Sequence, residues 1–144
     1  MRSRMVKLSA LSLTVVLLLS LCACIPGALS QEETAARLQN LRVTTPTCNS
    51  SESCELAWSA ARDWVLHNAG YRIQLLTPDY LETYGSPSGS PDLSVRVQKQ
   101  PLGSGRYQLV VTVWCGNMFG CAPNAVVAAQ RFNDYVNAVL TRRQ

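Results

Sequence analysis

The hydrophobic and polar positions divide this chain into segments with different periods. From Tyr107 to Cys115 the apolar side chains fall on alternate residues, Tyr107, Leu109, Val111, Val113 and Cys115. That is the period of a half-buried strand. Shorter strands are predicted at Tyr71 to Thr77, Tyr80 to Tyr84 and Leu93 to Gln100, separated by Pro78-Asp79 and by the loop GSPSGSPD at 85–92. The composition of that loop predicts a flexible hairpin connection. Tyr71, Ile73 and Leu75, and likewise Leu93, Val95 and Val97, are expected to point inward. Short connections between consecutive strands imply an antiparallel meander.

Two helical patterns flank the strands. Leu56, Ala57, Ala60, Ala61, Trp64 and Val65 share one face of a predicted helix ending near Asn68 and stopped by Gly70. Ser51 or Ser53 is expected to cap it, with Glu52 and Glu55 in its first turn. On its flank Arg62 is expected to lie over Trp58. Beyond the strands, Ala125, Ala128, Ala129, Phe132, Val136 and Val139 recur at helical spacing, and Pro123 suits a first helical turn. The order helix, four-stranded meander, helix describes an α+β two-layer domain. Its outline is similar to helix-grip modules of some outer-membrane lipoproteins, such as those of the barrel assembly machinery. That similarity is one of topology, without a shared motif, and carries no function.

The N-terminus has another character. Arg2, Arg4 and Lys7 precede an apolar run, LSALSLTVVLLLSL, at 8–21. The run has the length of a signal-peptide core and is short of the about 20 apolar residues of a membrane span. Leu21-Cys22-Ala23-Cys24 resembles a bacterial lipobox, with Cys24 as the lipid-bearing residue. The resemblance implies a lipoprotein of the cell envelope. With Ile25 where the retention signal of such lipoproteins would place Asp, the resemblance implies the outer membrane, facing the periplasm. A second cleavage reading is open: Ala28-Leu29-Ser30 is a small-x-small site, and cutting before Gln31 would release a soluble periplasmic or secreted protein. Residues 1–23 are thus read as signal peptide and 24–46 as a flexible tether, in which Glu32 to Val43 could form a short helix. Residues 47–141 form the domain and 142–144 a tail.

Charge narrows the partners. The chain has 13 Lys+Arg against 9 Asp+Glu, a net +4, but removing Arg2, Arg4 and Lys7 leaves near balance. Without a Lys/Arg cluster, no nucleic-acid partner is expected.

Four cysteines remain after the signal: Cys48, Cys54, Cys115 and Cys121. An even number in an exported chain reads as disulfides rather than metal ligands. Of three possible pairings, the local one is expected, Cys48-Cys54 and Cys115-Cys121. Both pairs have the spacing C-x5-C, and short loops close at low entropic cost. Crossed pairing would constrain more chain.

Candidate chemistry is sparse. His67, the single histidine, is expected to be partly buried near a helix C-terminus, in a structural role. Asp79 and Glu82 could serve as a carboxylate pair on glycan, though a turn former and a solvated strand residue explain them as well. No phosphate loop or dinucleotide fingerprint is present, and no cofactor is expected.

Binding has better candidates. The sheet face away from the helices would carry Arg72, Gln74 and Leu76, Arg96 and Gln98, and Gln108, Val110, Thr112 and Trp114. Tyr80, Glu82 and Tyr84 join them if the turn keeps parity. Met118 and Phe119 sit at the tip of the Cys115-Cys121 loop, either as an exposed apolar anchor or tucked under the core. The expected function is a non-catalytic envelope lipoprotein that binds another envelope protein or a glycan. The alternative is a small envelope enzyme acting on glycan through carboxylates.

Overall fold

The computed structural model describes residues 30–143. The signal segment and Cys24 lie outside the described residues. Within them, no helix is long and apolar enough to cross a membrane.

The chain runs α1 (Gln31–Val43), β1 (Thr47–Cys48), α2 (Ser51–Asn68), β2 (Ile73–Leu76), β3 (Tyr80–Thr83), β4 (Ser94–Gly103), β5 (Arg106–Trp114) and α3 (Ala125–Thr141). The five strands form one antiparallel sheet in the order β1-β5-β4-β3-β2. The α+β helix–meander–helix order is as expected. A fifth strand is added: β1, two residues long, pairs with Gln108 and Tyr107 at the start of β5. Its signal, Thr47-Cys48, is too short to show a period.

The core lies between the sheet and the pair α2 and α3. Leu81, Val95, Val97 and Leu109 come from the sheet, Ala57, Ala61, Trp64 and Val65 from α2, and Phe132 and Val136 from α3. Alanines along α2 allow a close approach to its neighbours. Trp64 then meets the edge of Phe132 in a T-shaped contact, centroids 5.4 Å apart. Such a contact contributes about 0.5–1.5 kcal/mol beyond its buried area.

Helix α2 is capped by neither Ser51 nor Ser53 but by the residue before them, Ser50. Ser53 returns the bond to the Ser50 backbone, closing a capping box. Helix α3 begins after Pro123, at an Asn124 cap whose Oδ1 accepts from the Val126 N–H. The short helix α1 docks on α3 through amides. Asn133 donates to Leu41 O at 2.9 Å and Asn137 to Thr44 O at 2.8 Å. This explains Asn133, a polar residue buried on a helical face: it satisfies a C-terminal carbonyl of α1.

Three local expectations are corrected. A bulge between Ile73 and Leu75 reverses parity in β2, so Leu75 pairs with Glu82 and is exposed instead of inward. Arg62 is exposed, and the cation over Trp58 is Lys99, reaching across from β4 at 6.0 Å. The third concerns loop 85–92, which is tied down. Gly89 N–H donates to Gly116 O, Ala122 N–H to Pro91 O, and Tyr71 OH to Ser90 Oγ.

Candidate functional site

Both local disulfides are present, Cys48–Cys54 and Cys115–Cys121. They lie at opposite ends of β5, because Cys48 pairs with Tyr107 and Cys115 follows Trp114.

The Cys115–Cys121 loop is the more exposed. Met118 and Phe119 are 90% and 93% exposed. The loop beneath them is held from inside and outside. Asn117 Oδ1 accepts the Phe119 N–H at 2.8 Å, and Gly120 N–H donates to Asn117 O. From outside, loop 85–92 presses against it so closely that a Cβ on Gly116 would meet Pro87 O at 1.9 Å. Only glycine fits there. A shallow concavity of about 270 Å³ lies at this junction, lined by Ser88, Gly89, Gly116, Asn117, Met118 and Phe119. Residues 115–124 contain no charged residue, and loop 85–92 carries one, Asp92, at its end, where its Oδ2 accepts from Ser90 Oγ. The result is a braced end of the domain with two large apolar side chains in water.

The open sheet face brings the other candidates together. Arg96, on β4, pairs across to Glu82 on β3, its Nη2 donating to Glu82 Oε1 at 2.9 Å. Its guanidinium lies 5.6 Å from the Trp114 ring and 5.9 Å from the Tyr80 ring. Tyr80 OH donates to Glu82 Oε2. Arg72 lies 6.0 Å over Tyr84 at the β2 side. Tyr80, Glu82 and Tyr84 therefore share this face, but Leu76, expected on it, does not: beyond the bulge it pairs with the buried Leu81. Trp114 is half-buried under Arg96, whereas Tyr84 is exposed.

These contacts set the ionisation. Arg96, then Tyr80, hydrogen-bond to the Glu82 carboxylate and hold it below the ordinary carboxylate range. The same bond to Glu82 raises the Tyr80 phenol. The Glu82 contribution to stability is therefore present above its unfolded pKa and lost as pH falls through the lowered folded value. For Tyr80 the contribution is present below its unfolded pKa and lost as pH rises through the raised one.

Asp79 and His67, the remaining titratable candidates, are each held by local contacts. Asp79 Oδ1 accepts from Thr77 Oγ1 at 2.8 Å in the turn, while Glu82 is held by Arg96 and Tyr80. His67 is exposed, contrary to expectation, with Nδ1 2.8 Å from Asp63 O.

Sequence reasoning placed Trp114, Arg72, Arg96, Met118 and Phe119 separately. It missed the brace between the two loops, which depends on a contact between Gly116 and Pro87. The only local trace of that brace is the glycine itself.

Comparison with protein-family models, with curated proteins and with solved structures found no match for this chain.

Proposed function

We propose that this protein is a lipid-anchored binding module of a bacterial cell envelope. It engages another envelope protein or a glycan through the Met118-Phe119 tip. The observation that carries this reading is the near-complete exposure of both side chains on a braced loop. A large aromatic and a methionine held in water bury apolar area on contact, and a loop already ordered loses little entropy on binding. Such anchors are the residues on which binding energy concentrates. The open face, with Trp114, Arg96, Tyr80 and Tyr84, supplies a polar and aromatic flank for the same partner. The lipobox-like Cys24 supports attachment to the outer membrane, and the two disulfides fit an oxidising compartment.

The test is a crosslinking pull-down from envelope membranes, with the full-length protein as bait beside a Met118→Ala, Phe119→Ala variant. A component captured by the wild type and lost with the variant supports the reading. A component retained equally by both removes the tip from the interface.

A further inference from the structure

Strand β5 has one occupied edge and one edge that is occupied only at its start. Along the first it pairs with β4 in unbroken register from Tyr107 to Trp114. Along the second it meets β1 at Tyr107 and Gln108, and the Leu109 N–H donates to Pro46 O at 2.9 Å. That last bond fixes the direction of the backbone. If the Leu109 N–H points toward the β1 side, so do the N–H and C=O groups of Val111 and Val113, two and four residues on. Among the described residues no strand lies beside them. Val111 and Val113 are half-buried and Thr112 between them is exposed.

An unpaired edge is a template for another strand, and proteins blunt such edges with charge, proline, bulges or brevity. The opposite edge of this sheet is blunted in these ways. β2 is four residues long, carries a bulge at Ile73/Leu75 and is preceded by Arg72. The free part of the β5 edge, beyond Leu109, is also short, but it carries no charge, proline or bulge. Leu109 to Trp114 is LVVTVW, without charge, proline, glycine or register shift.

We infer that this edge pairs with the same edge of a second copy, joining two sheets antiparallel about a two-fold axis at Thr112. The sequence is self-complementary in that register. Val111 faces Val113 of the partner subunit in a hydrogen-bonded pair, and the symmetric pair repeats it, giving four backbone hydrogen bonds. On the open face Val110 lies opposite the partner's Trp114, Thr112 opposite the partner's Thr112, and Trp114 opposite the partner's Val110. Apolar–aromatic and Thr–Thr pairs of this kind are favourable cross-strand neighbours, and no like charges meet. Each strand ends at Trp114, so the intermolecular ladder stops before the stretch of β5 that pairs with β1 and Pro46. The pairing would also bring both Trp114 side chains onto one continuous open face.

Two variants at one exposed position test this in the full-length protein in its own envelope. Thr112→Cys places two thiols opposite each other on the axis, close enough to oxidise to an intermolecular disulfide. A covalent dimer on a non-reducing gel, absent from a Leu66→Cys control on the exposed face of α2, is the expected result. Thr112→Lys sets like charges against each other, and sedimentation of the detergent-solubilised protein should then change from dimer to monomer. A wild type that sediments as a monomer across a concentration series overturns the inference. So does a Thr112→Cys disulfide to a different protein, or a dimer that survives Thr112→Lys. Each readout is independent of Met118 and Phe119.

Discussion

The two disulfide loops have identical spacing and opposite surroundings. Cys48 and Cys54 are 4% and 5% exposed and belong to the core, whereas Cys115 and Cys121 are half-buried at the rim. The residues between them account for the difference. In Asn49 to Ser53 each side chain is polar, and Ser50 with Ser53 turns the loop into the first turn of α2. In Gly116 to Gly120 the glycines allow tight bends, and two of the three residues between them, Met118 and Phe119, are apolar. One covalent ring thus starts a helix and the other holds an aromatic and a methionine away from the core. The spacing of cysteines sets the loop size. What the loop does is set by its contents and by what packs against it.

Removing each bridge should separate core from rim most strongly. The cysteines of each pair are six residues apart, so loop entropy alone gives each bridge about 2 kcal/mol. Cys48→Ala with Cys54→Ala also disturbs buried packing and should cost about 3–4 kcal/mol in urea unfolding. Cys115→Ala with Cys121→Ala should stay near about 2 kcal/mol. Equal losses from the two would break the comparison.

Gly116→Ala probes the brace at the rim. Its Cβ would strike Pro87 O, so one loop must move, at a cost of about 1–3 kcal/mol. Partner capture should fall with it although Met118 and Phe119 are intact. Ser50→Ala probes the other loop. It removes the cap of α2 and should lower stability by about 1 kcal/mol, with partner capture unchanged. The smallest effect on stability is expected at the tip itself. Met118→Ser with Phe119→Ser should shift the unfolding free energy by less than about 0.5 kcal/mol, because neither side chain is packed.

Much of this was legible in the chain. Alternation in 107–115 and helical spacing in 56–65 and 125–139 are properties of local sequence, and they located the meander and both covering helices. The disulfide pairing followed from equal short loops. What escaped depends on distant partners. β1 is a strand only because Tyr107 and Gln108 lie beside it, and Lys99 reaches Trp58 only once β4 packs under α2. The bulge in β2 leaves no mark in YRIQLLT, yet it turns Leu75 outward. At the candidate site, the sequence could place Met118 and Phe119 at a loop tip but could not choose between exposed and tucked. That choice rests on the brace from loop 85–92, whose composition suggests flexibility and whose hydrogen bonds oppose it.

The central claim is that the Met118-Phe119 tip touches a partner in the envelope. The most direct measurement places a photo-crosslinking residue at position 119 of the full-length protein in living cells, with position 66, exposed on α2, as control. The account predicts one discrete adduct from position 119 that is absent from position 66. No adduct at 119, or the same adducts from both positions, would contradict it.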